Sequence, residues 1–121
     1  MLTYDAKRDF YYIKSLYYYA VGDLANCYTH QKKLLDLLES HPEQLREQLI
    51  YYTTALGNYS HVCFLTKRYE ECSHIIEKMR AIPAKSIRTQ IVIFRDSYMR
   101  ELELYMGTGE FDKGIALIKN I

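Results

Sequence analysis

Apolar side chains recur every three or four residues through much of the chain, which is the spacing of one face of an amphipathic helix. The clearest runs are Leu45, Leu49, Tyr52, Leu56, Tyr59 and Cys63; Tyr69, Cys72, Ile76 and Met79; and Ile91, Phe94, Tyr98, Leu102 and Tyr105. No comparable alternation of apolar and polar residues marks a strand. The pattern therefore predicts an all-α fold.

Turn-forming residues divide the chain into six segments, each long enough for a helix. The divisions fall at Gly22, Pro42, Lys67, Pro83 and Gly109. The helices are predicted near residues 4–21, 23–40, 43–66, 69–81, 86–106 and 110–121. The first segment is apolar nearly all round, so we expect it to be buried on more than one side.

The six helices form three pairs whose sequences align on their turns. Gly22, Lys67 and Gly109 occupy one column as the turn residue. Five residues later each pair has a small residue, and two residues later a large apolar one. These columns are Cys27, Cys72 and Gly114, and Leu24, Tyr69 and Phe111. A large residue after the turn is expected to fill the helix junction, and a small one lets the two backbones approach.

These columns resemble the tetratricopeptide repeat, in which an aromatic residue, a turn, a small residue and a closing proline recur. The resemblance covers almost the whole chain, with units near residues 4–40, 43–81 and 86–121. The turns are 45 and 42 residues apart, against about 34 in the family, so the chain is similar to its long-helix, degenerate variety. The resemblance implies a right-handed α-solenoid of three units and six helices.

Repeats of this kind bind peptides or protein segments on a concave face lined by the first helix of each pair. The candidate groove residues are Tyr12, Leu16, Tyr19, Asn58, His61, Asp96, Arg100 and Glu103. An aromatic and polar groove for a peptide is the first hypothesis. A carboxylate clamp built on Asn58 and Arg100, and packing against a neighbouring domain, are the alternatives.

Composition and charge narrow the function further. Sixteen basic and 15 acidic residues leave a net charge of +1, which argues against a dedicated nucleic-acid or membrane surface. The chain has no apolar run of transmembrane length and no secretory signal. Three cysteines without a C-x-x-C pair indicate reduced thiols and a cytoplasmic location.

Chemical motifs are scarce. His61, Cys63, Cys72 and His74 are zinc-ligand types, but residues two apart on a helix point about 200° apart, so no metal or other cofactor is predicted. No nucleophile motif or phosphate loop occurs. The sequence predicts no catalytic site and no enzyme.

The last helix ends in apolar residues, Ile115, Ile118 and Ile121. Solenoids usually finish on a polar cap, so this edge predicts a homodimer or a neighbouring domain, and a single domain, residues 1–121, that belongs to a longer protein. We expect a scaffold that binds a protein or peptide segment within a bacterial regulatory or signalling protein. The alternative is a structural spacer or oligomerisation module with no ligand of its own.

Overall fold

A computed structural model describes residues 2–121, so Met1 of the expected 1–121 domain lies outside the described residues. Those residues form seven helices and no strand: α1 (Tyr4–Ala20), α2 (Leu24–Glu39), α3 (Pro42–Glu47), α4 (Leu49–Leu65), α5 (Tyr69–Arg80), α6 (Ile87–Gly107) and α7 (Phe111–Lys119). The all-α prediction is confirmed. None of these helices combines the length and hydropathy that crossing a bilayer requires.

The prediction of six helices is wrong at one place, because the expected helix 43–66 is two helices. Gln48 separates α3 from α4, with φ −127° and ψ 44°. Leu45 and Leu49 keep helical spacing across this residue, so the apolar pattern does not reveal the break. The bend lets the short α3 contact α2 as well as α4, and Leu45 then packs against the core.

The three turns that join α1 to α2, α4 to α5 and α6 to α7 share one geometry. Their aligned residues all have positive φ: 80° at Gly22, 62° at Lys67 and 79° at Gly109. In each turn the next residue donates its N–H to a carbonyl five residues earlier, at 2.7–2.8 Å. This is the Schellman pattern, which satisfies carbonyl groups at the end of a helix. The small residue that follows, Cys27, Cys72 or Gly114, is buried in every pair.

Neighbouring helix pairs contact in chain order. In backbone contacts among the described helices, α2 meets α4, α5 meets α6, and α4 meets α6, whereas the backbone of α7 contacts only α6 and that of α1 contacts only α2. The core lies around α4, which buries Tyr52, Leu56, Tyr59 and Cys63 against α2 and α5.

The expectation that the first helix is buried on more than one side is wrong. Ser15 is the only residue of α1 classed as buried, and Ile13, Leu16, Tyr17 and Tyr19 are exposed. The reason is that α2 is the only described helix whose backbone contacts that of α1. The helix that buries the most residues is α4, which lies between α2, α5 and α6.

Polar contacts join helices across this core. The Tyr59 hydroxyl of α4 donates to Glu71 of α5 at 2.6 Å, and Tyr28 of α2 donates to the same carboxylate at 3.0 Å. At the far end of α2, Glu39 accepts from Tyr52 and pairs with Lys78 of α5. Helices α2 and α5 have no direct backbone contact, so these side chains connect them.

Candidate functional site

An open cleft lies between α1 and α4, with α2 as its floor. The backbones of α1 and α4 do not contact each other, although both contact α2. Two adjoining cavities of about 300 and 230 Å³ fill the space between them. Both are lined by Tyr12, Ser15, Gln31 and Asn58, so they form one continuous cleft.

Aromatic pairs cross the cleft at two levels. The rings of Tyr12 on α1 and Tyr51 on α4 have centroids 6.4 Å apart, and those of Tyr19 and His61 are 6.2 Å apart. Tyr12, Leu16 and Tyr19 are all exposed. Aromatic rings that remain partly in water offer a large apolar contact area.

The floor of the cleft is polar at one point. Gln31 reaches it from α2, and its Oε1 atom is buried without a hydrogen-bond donor among residues 2–121. Leu34 and Ala55 surround this part of the floor. A buried carbonyl oxygen without a partner costs free energy of about 1–3 kcal/mol, so Gln31 is an unfavourable feature of the floor in the absence of a further polar group.

The structure divides the predicted groove residues into two groups. Five of them line the cleft: Tyr12, Leu16, Tyr19, Asn58 and His61. The other three lie on α6, where Asp96 pairs with Arg95 at 3.0 Å and Arg100 pairs with Glu103 at 3.2 Å.

A chain of polar side-chain contacts joins α4 to α6. The Glu103 carboxylate accepts a hydrogen bond from Arg100 of the same helix. It also lies 3.0 Å from the Nδ1 atom of His61 on α4. Helices α4 and α6 also contact along their backbones. Asn58 lines the cleft, and the Arg100 guanidinium is paired with Glu103.

Sequence reasoning missed Gln31, because it assigned the concave face to the first helix of each pair only. A signal was present. Gln31 shares an aligned column with Ile76 and Ile118, so an amide stands where the other pairs carry an aliphatic side chain. A polar residue in an apolar column often indicates a functional position.

A second, wider cavity of about 780 Å³ lies beside the break between α3 and α4. Its walls include Leu45, Gln48 and Tyr51 on one side and Pro83 and Lys85 on the other. The Gln48 Oε1 is buried and accepts no hydrogen bond from residues 2–121. The sequence did not predict this cavity, because it depends on the bend at Gln48.

The residues with zinc-ligand chemistry are dispersed. Cys63 and Cys72 are buried in the core, His61 contacts Glu103, and His74 is exposed on α5. Across residues 2–121 no group of three or more histidine, cysteine or acidic side chains is arranged to hold a metal ion. The Cys72 thiol donates to the Ser60 carbonyl at 3.3 Å.

Fold and cleft together define an all-helical protein whose described residues form seven helices, with an aromatic-lined cleft between α1 and α4. No family model matches this chain, and no curated protein or solved structure is significantly similar to it.

Proposed function

We propose that this chain is a binding module for a protein or peptide segment, and that the cleft between α1 and α4 is its site. One observation supports this proposal: the cleft is lined by apolar and aromatic side chains, and no described side chain of the chain fills it. The cleft exists because α1 and α4 both pack on α2 and their backbones do not contact each other. Grooves of this kind, apolar with a few polar groups, are typical of peptide recognition.

The lining defines the chemistry of the ligand. A bulky apolar side chain packs into the cavity that Tyr12 and Tyr51 line, and the Gln31 side chain, which lines the same cavity, offers an amide to the peptide backbone. Asn58 is exposed at the rim and offers both a donor and an acceptor to a peptide backbone. A segment with one large apolar residue and an accessible backbone amide meets these requirements.

At the level of the fold, we propose a right-handed solenoid of three tetratricopeptide-like units, of the long-helix variety. The shared positive-φ turns and the chain-order contacts support it. The function belongs to the same proposal: a non-catalytic scaffold in a cytoplasmic regulatory or signalling protein of bacteria, with no direct contact to nucleic acid or membrane.

The test selects peptides from a random display library against the chain and measures their affinities by calorimetry. Tyr12→Ala and Gln31→Leu are expected to weaken binding about tenfold or more, because each removes a contact worth about 1–2 kcal/mol. Tyr17→Ala is the matched control, since Tyr17 is an exposed tyrosine of the same helix that lines neither cavity of the cleft.

Selected peptides that bind Tyr12→Ala and Gln31→Leu as tightly as the unaltered protein contradict the cleft as the site. Complete failure to select any peptide favours the second candidate, a structural spacer or oligomerisation module with no ligand of its own. The exposed apolar side chains of α6 and α7 support that second candidate.

A further inference from the structure

Helix α7 carries an apolar stripe that no described residue covers. Phe111, Ile115 and Ile118 follow helical spacing on one face, and each is more than half exposed. Another face of α7 packs on α6, where Gly114 is buried against Leu102. The exposed stripe is therefore a second apolar face, separate from the one that α7 already uses.

Helix α6 also has an apolar face, and α7 packs against only one part of it. Tyr98, Leu102 and Tyr105 share a face with Ile87, Ile91 and Phe94. The later part of this face lies under α7, since Leu102 and Tyr105 are within 4 Å of the position a side chain at Gly114 would take. The earlier part is bare, with Ile91 58% exposed. The bare segment continues an existing helix–helix contact.

The second helix pair shows what such positions do when a helix covers them. Ile118 and Ile121 align with Ile76 and Met79, counted from their turns. Ile76 is 3% exposed in α5, against which α6 packs, whereas Ile118 is 55% exposed. Equivalent side chains are thus buried where a further helix is present.

We infer that two copies of this chain associate through this end, with α7 of each copy on the bare segment of α6 of the other. Each copy supplies both of the surfaces that the contact needs. The segments Ile87–Phe94 and Phe111–Ile118 each span eight residues, roughly 12 Å of helix. A reciprocal contact of this kind closes a two-fold dimer, and a net charge of +1 leaves little repulsion between copies.

The dimer surface is distinct from the cleft. Ile91, Ile118 and their neighbours on these stripes line none of the cavities described above. Phe94 and Tyr98 border a separate pocket between α5 and α6. The inference therefore does not depend on the proposed function, and either one can fail without the other.

Sedimentation equilibrium of the unaltered protein, from micromolar to millimolar concentration, measures the association. The unaltered chain is expected to dimerise, and Ile91→Glu and Ile118→Glu are each expected to weaken the dimer at least a hundredfold, because a charge is then buried without a partner. Ile13→Glu is the matched control, since Ile13 is 63% exposed on α1 at the other end of the molecule. Circular dichroism checks that each variant keeps its helices.

A charge exchange tests which helices meet. Ile91→Lys and Ile118→Glu are each expected to weaken self-association, while an equimolar mixture of the two forms a mixed dimer and the double variant regains a homodimer. A monomeric unaltered protein at millimolar concentration overturns the inference. So does a dimer that Ile13→Glu weakens equally, or one that Ile118→Glu disrupts and Ile91→Glu leaves intact, since that dimer joins α7 to α7.

Discussion

The Tyr59 hydroxyl lies 2.6 Å from the Glu71 carboxylate and donates a hydrogen bond to it, across the contact between α4 and α5. Tyr28 donates to the same carboxylate from α2, and the Arg68 guanidinium lies 3.9 Å from the centre of the Tyr28 ring. Three helices thus meet at one acidic side chain. Burial raises the pKa of the Tyr59 hydroxyl, and its hydrogen bond to Glu71 raises it further, so Tyr59 remains a proton donor throughout the physiological range.

Glu71 makes the stability of the fold sensitive to acid. Burial raises the pKa of Glu71, but hydrogen bonds from Tyr59, Tyr28 and Cys63 lower it by more, so its pKa is below the usual 4.5. The resulting stabilisation is complete above pH 4.5 and is lost as the pH falls through the lower pKa of the folded state. Glu71→Gln should therefore reduce the free energy of unfolding by about 1–3 kcal/mol at pH 7 and flatten its decline in acid.

Urea unfolding between pH 7 and pH 2 measures this effect. Glu70→Gln is the control, because Glu70 is exposed on the same turn of α5 and should change neither the stability nor its slope. If the free energy of unfolding falls equally steeply with acid in Glu71→Gln and in the unaltered protein, the role of this carboxylate is contradicted.

Lys67 holds a backbone conformation that glycine adopts in the other two turns. Its φ is 62°, in the left-handed region, where a Cβ atom costs about 1–2 kcal/mol. Lys67→Gly should raise the free energy of unfolding by about 0.5–1 kcal/mol, because the relief of strain exceeds the added freedom of the unfolded chain. Thermal unfolding measures the change.

Lys67→Ala is the matched control for the glycine variant. It removes the lysine charge and keeps the Cβ atom, so no stabilisation is expected. Equal gains from alanine and glycine would show that the lysine side chain, and not its backbone conformation, is the unfavourable feature.

Two helical glycines should respond in opposite ways to alanine. A Cβ added at Gly57 would lie 3.9 Å from the Met79 methyl group, an ordinary contact, whereas one added at Gly107 would lie 2.2 Å from the Phe64 ring. Gly57→Ala should stabilise α4 by up to about 1 kcal/mol through helix propensity. Gly107→Ala should destabilise the protein by about 1–3 kcal/mol, because Phe64 must move.

Denaturant unfolding of these two single variants provides an internal comparison, since each is the control for the other. Equal effects of the same sign at the two glycines would contradict the packing described around Phe64.

The three thiols should be unreactive in the folded protein. Burial raises the pKa of Cys63 to about 12, with a further contribution from the Glu71 charge, and raises that of Cys72 to about 11. Burial also raises the pKa of Cys27. Since the thiolate is the reactive form, a disulfide reagent at pH 8 should label almost no thiol in the native state and all three in urea. Rapid labelling of one cysteine without denaturant would show that its side chain is accessible.

Local sequence patterns were enough to predict most of the secondary structure. The bounds of α1, α2, α5 and α6 agree with the expected segments to within about a residue. The aligned turn residues all have positive φ, including Lys67, which has no glycine to mark it. Such features depend on apolar periodicity and on backbone conformations of a few adjacent residues.

The break at Gln48 and the exposure of α1 could not be predicted in this way. Apolar residues keep the same spacing on both sides of Gln48, so a continuous and a bent helix share one pattern. The apolar content of α1 resembles that of a central helix, but the backbone of α1 contacts one other helix, whereas that of α4 contacts several. Burial depends on how many helices pack around a segment, which periodicity does not encode.

The sequence by itself determined that the chain is helical, where its helices turn back, and which cleft residues lie on α1 and α4. Only the tertiary structure decided that Tyr12 and Asn58 share a cleft with Gln31 of α2, and that Glu103 of α6 contacts His61 of α4. The tertiary structure also decided that α7 packs on the apolar face of α6 at Leu102, whereas Ile91 on the same face is exposed. The physical reason is that a turn is specified by a few adjacent residues, whereas a cleft or an exposed stripe depends on the distances between helices that are far apart in the chain.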